Sequence, residues 1–450
     1  MASPITTRAM LTRRQVFTMS WPIMLANAAT PMVGLVDTLV IAHYSSTTAL
    51  AGIGLGAVIY ALFYWGFGFL RMSTAGLVAQ SEGQDHQRDV QAHLFRAVPL
   101  GLLIGLILFT AQLLLLGLLF NVFTADAEVE AAARKYIQAR LWGLPAFLGG
   151  LTLMGWFVGL GKAKRALTMQ IWLNAINIIL SPLFVISFGW GIFGVGIATS
   201  IADWAGLTAG LILASREIKS RGGLHREALT RKVLLAWEDI RKLGVSNINI
   251  FIRTICMTIG FSFFGNAAAS EGKTYLAGYH ILMQFITVIA LVLDGFAHTA
   301  EATVGAAYGA KNRTAFDRAV RLTSEFSFIF AIICFFVILT LGPHVINLLT
   351  PDMAVRDSAK TYLIYCALAP VVGFAAYQLD GIFIGTTQTA AMRNSGIAAV
   401  IIYLCAHYLL APSLGPSGIW TAFLIYYAAR WMTLLVAYPN VRRQTYAQLS

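Results

Sequence analysis

Charged residues are scarce in this chain, and their scarcity excludes the soluble proteins first. Asp, Glu, Lys and Arg together make up 12% of the 450 residues, whereas a soluble protein carries roughly 25%. Hydrophobic residues make up 58%, so few polar side chains remain to cover a hydrated surface. Apolar runs of 20 or more residues recur along the chain, and each can cross the roughly 30 Å hydrocarbon core as a helix. The sequence therefore predicts an all-α, polytopic membrane protein.

Cysteines and nucleotide-binding motifs are also sparse. The four cysteines all fall inside apolar runs without the spacing of metal ligands, so we expect neither a disulfide framework nor a metal site. A GxxxxGK[ST] phosphate-binding loop is absent, and no polar stretch is long enough to fold as an ATPase domain. The polar, basic start is followed by an apolar run that is too long for a cleavable signal peptide. We therefore expect no bound cofactor, and energy must come from an ion gradient or a separate partner.

Hydropathy and helix breakers divide the chain into about twelve spans. They are predicted near residues 15–43, 47–79, 90–121, 129–160, 164–188, 191–215, 240–269, 274–308, 314–346, 354–385, 389–411 and 417–438. Of the 32 Lys and Arg residues, 23 fall in one set of loops, 3 lie within spans, and 6 fall in the alternate loops, to which we assign Arg140. Because cytoplasmic loops carry the excess of positive charge, both termini and the 216–242 connection are predicted to be cytoplasmic. The net charge of +12 then faces the cytoplasmic leaflet, and nucleic acid is not an expected partner.

The chain also repeats itself at a constant offset. Matches 226 residues apart are Leu50–Gly52 with Leu276–Gly278, Gly83 with Gly309, Tyr136 with Tyr362, Gly155 with Gly381, and Gly159 with Gly385. Each half holds about six spans, an even number, so both halves enter the membrane from the same side as parallel repeats. We expect two six-helix lobes around a central cleft, at residues 1–215 and 241–450, joined by a cytoplasmic linker at 216–240. This architecture is typical of transporters.

Ionisable side chains inside the spans are candidates for function, because a charge at mid-membrane costs roughly 2.5–3.5 kcal/mol on insertion scales. The candidates are Asp37, Arg71, Asp203, Arg253, Asp294, Glu301, Asp380 and Arg430. Asp37 follows Pro22 by about four helical turns, and Pro22 removes a backbone hydrogen bond and can act as a bending point. We interpret Asp37 as a proton-exchanging group on a helix that can bend. The alternative is that Asp37 is the permanent partner of an arginine such as Arg253.

Asp203 is the second candidate in the first half of the chain. Thr199 lies one turn before it on the same helix face, and Asn174 and Asn177 in the neighbouring span could donate hydrogen bonds to it. A carboxyl group among amides and hydroxyls in a low-dielectric site is suited to proton exchange near neutral pH. The alternative is that these polar side chains only hold helices together.

The second half carries its own acidic candidates. Asp294 and Glu301 fall on one helix face, and Asp380 precedes a glycine. These acids could bind a cation or a proton. Equally, an Asp near a glycine could pair with Arg253 or Arg71 and lock helices together, and the sequence leaves both possibilities open.

Four stretches together resemble the multidrug and toxic compound extrusion (MATE) transporters, in the DinF branch. They are "GLVDTLVIAHY", "FLRMSTAGLVAQSEG", "LDGFAHTAEATVGAAYGAKNR" and "YQLDGIFIGTTQTAAMRNS". The resemblance covers nearly the whole chain in order, and it implies twelve helices in two lobes with export driven by proton or sodium antiport. It also matches Asp37 to the family's first-helix carboxylate, Pro22 to its bend, and Asp380 to an acid implicated in cation coupling.

The resemblance further implies a polar cluster in the N-terminal lobe formed by Asn174, Asn177 and Asp203. Two departures from the family pattern bear on the coupling ion. Ser181 stands where many relatives carry an Asp, so this position contributes no charge. The seventh span contains Arg253 and no acid, which weakens a sodium site in the C-terminal lobe and favours proton coupling.

Residues and resemblance together predict an antiporter that exports amphipathic, cationic drugs or toxins in exchange for protons through Asp37 and Asp203. We expect a monomer in the bacterial inner membrane, with small molecules and the lipid bilayer as its partners. Sodium coupling is one alternative. A lipid-linked precursor flippase of the same superfamily is another, and a basic cavity would support it, whereas the intramembrane charges here are more acidic than basic. A membrane-embedded transferase, and with it any catalytic residue, is disfavoured because the histidines of the apolar runs are scattered singly, at His43, His280, His298 and His407.

Overall fold

A computed structural model describes residues 11–112, 116, 117, 120 and 126–445. The helices of these residues are α1 Arg13–Tyr44, α2 Thr47–Phe67, α3 Phe69–Gly83, α4 Gln87–Thr110, α5 Ala127–Leu141, α6 Leu144–Gly159, α7 Ala163–Pro182, α8 Gly191–Ser220, α9 Arg231–Leu234, α10 Trp237–Ser270, α11 Lys273–Gly309, α12 Arg313–Leu349, α13 Met353–Gly385, α14 Thr389–Leu414 and α15 Pro416–Gln444. A π-helical turn, Leu183–Ser187, continues α7, and a 3₁₀ turn, Arg226–Leu229, precedes α9.

The helices are long and apolar enough to form the predicted membrane spans. Within the described residues, eleven helical segments pass this test alone, and α5 and α6 together form a twelfth span that bends by 55°. The prediction of an all-helical membrane protein with about twelve spans is confirmed. Most boundaries agree within a few residues, and the span predicted at 354–385 is α13, Met353–Gly385. Part of the third predicted span, 90–121, lies outside the described residues.

The span formed by α5 and α6, which is the fourth along the chain, is broken because its sequence cannot continue as one helix. The helix α5 ends at Leu141, and α6 begins at Leu144 with Pro145 in its first turn. Proline lacks a backbone N–H, which is tolerated in the first turn of a helix but not in its interior. Trp142 lies at the break, and its carbonyl oxygen accepts a hydrogen bond from Trp204 Nε1 over 3.0 Å. A side chain of α8 therefore provides a hydrogen bond to a backbone carbonyl group at the break.

By internal packing, the chain divides into two compact units. One comprises Leu25–Leu243, and the other comprises Gly244–Ser450 together with Met1–Met24. The first part of α1 therefore belongs to the second unit, where Ser20 Oγ lies 2.7 Å from Thr299 Oγ1. The sequence prediction placed the whole first span in the N-terminal lobe. The predicted boundaries of the two lobes and the linker stay a prediction.

Equivalent glycines make equivalent contacts inside the two units. In the first unit, α6 approaches α3 so closely that a Cβ on Gly159 would lie 2.6 Å from the Ala75 carbonyl oxygen. In the second unit, a Cβ on Gly385 of α13 would lie 2.6 Å from the Glu301 carbonyl oxygen of α11. Both members of the second pair follow those of the first by 226 residues. The same helix crossing is therefore built twice, as the sequence repeat predicts.

Large apolar side chains are exposed on the surfaces of both units. Leu106 and Ile179 are examples in the first unit, and Leu348, Leu409 and Val436 are examples in the second. In water, such a surface would aggregate, whereas in a bilayer the lipid chains cover it. The polar side chains that are buried inside each unit are therefore the ones that call for a functional explanation.

Candidate ion-coupling site

Asp37 is completely buried, at 0% exposure, and is held by neutral donors. Ser181 Oγ donates to Asp37 Oδ1 over 2.7 Å, Thr199 Oγ1 donates to Oδ2 over 3.1 Å, and Asn177 Nδ2 lies farther away, 3.4 Å from Oδ1. Hydrogen bonds to a charged group contribute about 1.5–3 kcal/mol each, so these donors offset the cost of burying a carboxylate. Among the described residues, no Lys or Arg forms an ion pair with Asp37. Arg253, the arginine named in the alternative, donates to Asp380 instead.

The Thr199 hydroxyl can form a hydrogen bond with Asp37 in either protonation state of the carboxyl group. Thr199 Oγ1 lies 3.0 Å from the Val195 carbonyl oxygen as well as 3.1 Å from Asp37, yet it has one hydrogen to donate. When Asp37 is ionised, Thr199 can donate to it. When Asp37 is protonated, it can donate to Thr199, which then turns its hydrogen to Val195. Asn177 Nδ2 lies 2.9 Å from Thr199 Oγ1 and can donate to it in both states.

Helix periodicity brings two of the three partners of Asp37 to one face of α7. Asn177 and Ser181 are four residues apart, so they lie one turn from each other and both reach Asp37. Asn174 lies a turn earlier and donates to the Ala29 carbonyl oxygen of α1 over 2.8 Å. No hydrogen bond in the described part of the chain joins either amide to Asp203. The predicted amide donors thus bind α1 rather than the acid for which they were proposed.

Asp203 lies instead against the break between α5 and α6. Its side chain is buried, at 4% exposure, and Oδ2 has no hydrogen-bond partner within the described residues. A Cβ on Gly143, a residue of the break, would lie only 2.8 Å from this oxygen. One turn before it on α8, Ser200 Oγ accepts from Gly143 N over 3.0 Å and donates to the Ala139 carbonyl oxygen over 2.7 Å. The sequence singled out Asp203 but not the backbone break that it faces.

Arg140 is the functional candidate that the sequence analysis missed. Its guanidinium carbon lies 3.9 Å from the centroid of the Tyr60 ring, and Nη1 donates to Tyr136 Oη over 3.2 Å. Its carbonyl oxygen lies 3.1 Å from Ser200 Oγ, which is one turn before Asp203 on α8, and no ion pair within 4.0 Å joins its guanidinium to Asp37 or Asp203 among the described residues. The assignment of Arg140 to a loop is therefore wrong, because it lies near the end of α5 inside the fourth span. The sequence did contain one indication of this role. Tyr136 lies one helical turn before Arg140, where its hydroxyl can accept a hydrogen bond from the guanidinium.

In the second unit, Asp380 is bound by two arginines. Arg430 Nη2 lies 2.9 Å from Asp380 Oδ2, and Arg253 Nη2 donates to the same oxygen. Of the two possibilities that the sequence left open, the geometry matches the helix lock, with Arg430 rather than Arg71 beside Arg253. Two positive guanidinium groups at Oδ2 oppose the binding of a cation at that oxygen.

The other predicted site residues occupy different places. Pro22 lies within α1, which runs without interruption from Arg13 to Tyr44, so a bend near Pro22 stays a prediction. Asp294 and Glu301 lie on α11, and Glu301 is buried where α13 crosses. In the described part of the chain, no group of three or more His, Cys, Asp or Glu side chains could hold a metal ion.

A duplicated helical fold with ionisable clusters buried inside its units defines the class of polytopic membrane transporters. Residues 22–183 and 249–412 each match the family model described as MatE. The chain therefore belongs to the MATE family of multidrug efflux transporters, and the resemblance drawn from the four motifs is confirmed. One match falls in each half of the chain, in agreement with the 226-residue repeat.

Curated relatives and solved structures support the same assignment. The chain is 32% identical over 414 residues to the DNA damage-inducible protein F of Escherichia coli strain K12, covering 92% of this chain and 89% of that protein, which confirms the DinF branch. It is 24% identical over 435 residues to a probable multidrug resistance protein NorM of Acinetobacter baylyi, covering 91% of this chain and 92% of that protein. A structure of a MATE in the bent conformation has a similar fold, with a TM-score of 0.87, 18% identity and coverage of 100% and 98%. A MOP superfamily transporter from Pyrococcus furiosus aligns with a TM-score of 0.83, 19% identity and coverage of 100% and 99%.

Proposed function

We propose that this chain is a proton-coupled antiporter that exports amphipathic, cationic compounds, with H⁺ as the coupling ion and the N-terminal carboxyls Asp37 and Asp203 as its carriers. The observation that carries the proposal is the burial of Asp37 among neutral donors that can serve both its charged and its protonated form. A group that exchanges protons needs a site that tolerates both states, whereas a structural carboxylate needs a permanent cation.

Protonation of Asp37 changes its hydrogen bonds, and this change can shift the conformation of α1. Bonds to a carboxylate contribute about 1.5–3 kcal/mol and neutral bonds about 0.5–1.5 kcal/mol, so each bond weakens by about 1 kcal/mol on protonation. Ser181 and Thr199 provide two such bonds. A total of about 2 kcal/mol corresponds to a roughly 30-fold shift in a two-state equilibrium. That shift is large enough to favour a form of α1 that bends near Pro22.

The transport cycle follows from this coupling. Protonation from the outside weakens the hold on α1, which bends near Pro22, reshapes the drug cavity and releases the substrate outward. Deprotonation toward the cytoplasm restores the carboxylate and the affinity for a cation. Because a ligand shifts only an equilibrium whose states it binds differently, substrate and proton must favour opposite states of the site. We place this cycle in a monomer of a bacterial inner membrane with both termini in the cytoplasm, acting as a transporter rather than an enzyme.

Sodium coupling is the second candidate, and one atom favours it. Asn177 Oδ1 is buried without a hydrogen-bond partner among the described residues. If this amide turned by half a rotation, Oδ1 would join the Asp37 carboxylate and the hydroxyls of Ser181 and Thr199 as a possible oxygen ligand. Hard cations favour such oxygen-rich surroundings. In the described orientation the amide nitrogen faces Asp37, and this orientation favours the proton.

The experiment that tests the proposal measures ethidium export from vesicles containing the purified full-length chain. A pH gradient should drive export without sodium, and a sodium gradient alone should not. Asp37→Asn should abolish ethidium-stimulated proton movement. Asp352→Asn is the matched control, because Asp352 is the exposed N-cap of α13 and asparagine caps helices equally well. Full coupling in Asp37→Asn, or export driven only by sodium, would refute the proposal.

A further inference from the structure

Residues of α8 bring three ionisable side chains together around the broken fourth span. Thr199 Oγ1 bonds Asp37 of α1, Ser200 Oγ lies 3.1 Å from the carbonyl oxygen of Arg140 of α5, and Oδ2 of Asp203 itself lies against Gly143 of the break. The other side chains of this cluster are Tyr60, Tyr136, Asn177, Ser181 and Thr199, and none of these carries a charge near neutral pH. With both acids ionised, two carboxylates and one guanidinium leave the cluster with a single net negative charge.

Within the described residues, no ion pair within 4.0 Å joins any two of these three charged groups. Arg140 Nη1 donates to a phenol, its Nε has no hydrogen-bond partner, and Asp203 Oδ2 has none either within the described residues. This differs from Asp380, whose oxygen is bonded by two arginines. An arginine that is held by two tyrosines yet bonded to neither acid can balance whichever carboxylate is ionised.

Two aromatic residues contact the Arg140 guanidinium, and its charge is a constant of the site. The Tyr60 ring lies against the guanidinium plane, and Tyr136 holds one of its nitrogens. A guanidinium on an aromatic face gains a cation–π interaction, and arginine does not release its proton in proteins. Only the two carboxyl groups can therefore change the charge of the cluster.

We propose that Arg140 is a fixed counter-cation that makes Asp37 and Asp203 share one exchangeable proton, so that the site carries one proton per transport cycle. In a low-dielectric environment the neutral cluster is the favoured one, and a single proton neutralises it. The inference deepens the proposed proton coupling and rests on it. It also implies that exchange for a monovalent cation moves no net charge. Arg140 acts here as a positioning residue, through the charge that it imposes on the two acids.

Charge counting gives each variant a distinct result. Arg140→Gln leaves two uncompensated carboxyls, so the cluster should take up two protons across the neutral pH range. Asp203→Asn leaves Asp37 balanced by Arg140, so it should take up none. The double variant Arg140→Gln/Asp203→Asn leaves one uncompensated carboxyl and should take up one proton again. If Arg140 had a purely structural role, adding Arg140→Gln to Asp203→Asn would not be expected to restore the uptake of one proton.

Infrared difference spectroscopy counts these protons without a substrate. The full-length protein in lipid nanodiscs is titrated through neutral pH, and the carboxylic C=O stretch of each variant is compared with that of the unaltered chain. We expect one additional protonated carboxyl in Arg140→Gln, one fewer in Asp203→Asn, and an unchanged number in the double variant. Arg140→Lys, which keeps the charge while altering the contact with Tyr60, should match the unaltered chain. An unchanged count in Asp203→Asn, or a double variant that behaves like Asp203→Asn, would overturn the inference.

Transport provides the second measurement and separates the two proposals. Ethidium export driven by a pH gradient should be lost in Asp203→Asn and restored in the double variant. If the unaltered chain exports ethidium with protons but the double variant does not regain export, the shared-proton inference fails while proton coupling stands. If the unaltered chain shows no proton-driven export, the proposed function fails whatever the infrared counts are. Size-exclusion profiles that match the unaltered chain show that each variant is folded.

Discussion

Asp380→Asn removes the charge that Arg253 and Arg430 share while keeping the size and one oxygen of the side chain. Both guanidiniums are buried, as is the carboxylate, and both bond the same oxygen. If Asp380 locks α10, α13 and α15 together, this substitution should reduce the stability of the second unit. If Asp380 instead carries the coupling ion, the substitution should reduce transport and leave stability almost unchanged.

The expected magnitude follows from the loss of charge compensation. Breaking a buried ion pair by removing one partner costs about 3–5 kcal/mol, because the remaining charge is left buried without a counter-charge. For a unit of this size, each kcal/mol lowers the melting temperature by about 2–4 °C, so we expect a decrease of roughly 6–20 °C. An asparagine oxygen still accepts hydrogen bonds, and this places the expected loss toward the lower end of the range.

The assay is thermal unfolding of the purified protein in detergent, followed by the fraction that remains monodisperse after heating. Asp352→Asn again serves as the control and should change stability by less than about 0.5 kcal/mol, because Asp and Asn are equivalent N-caps. Proton-driven export by Asp380→Asn should persist at temperatures below its lowered melting point. Unchanged stability together with lost coupling would refute the lock and make Asp380 an ion carrier.

Three further predictions concern helix packing, the ion pairs of Glu217 and the Asp37 cluster. Gly159→Ala and Gly385→Ala should each destabilise the protein by about 1–3 kcal/mol in the same unfolding assay, because an added Cβ would lie 2.6 Å from a carbonyl oxygen; Gly150→Ala, with open space around its Cβ, should not. Glu217→Gln should cost about 3 kcal/mol, because Glu217 is 1% exposed and three basic side chains pair with it. Ser181→Ala removes the 2.7 Å bond to Asp37 and should reduce proton-driven export about tenfold with the fold intact. Equal export in this last variant would show that the hydroxyl is dispensable.

The spans were predictable because a bilayer imposes a simple rule on every helix. Each must present about 20 apolar residues, and the breakers between them are Gly, Pro and charged clusters. The helix predicted at 191–215 continues to Ser220 in the structure. Hydropathy ended the prediction too early, because the last residues of this helix are polar. The repeat was also predictable, because close helix crossings demand glycine at fixed positions whatever the lipid-facing residues are.

Side-chain partners across helices were not predictable in the same way. Asp380 and Arg430 are 50 residues apart, and no spacing rule connects α13 with α15. Arg140 was assigned to a loop because basic residues were sorted by hydropathy, which cannot recognise a guanidinium enclosed by aromatic rings. The break beside it did have a local signal, the Gly143-Leu144-Pro145 sequence. A glycine followed two residues later by a proline favours a helix interruption even inside an apolar run.

The two units share a scaffold but differ in what they can do with a proton. In the first, the partners of Asp37 are hydroxyls and an amide, which can reverse or redirect their hydrogen bonds when the acid changes state. In the second, the oxygen of Asp380 accepts from two guanidiniums, which are obligatory donors and would oppose a proton at the same position. Duplication therefore built the helix crossings twice, whereas the described surroundings of Asp37 and Asp380 differ: the first can follow a proton, and the second oppose one. A substitution at Asp37 should accordingly impair coupling more than stability, and one at Asp380 should do the opposite.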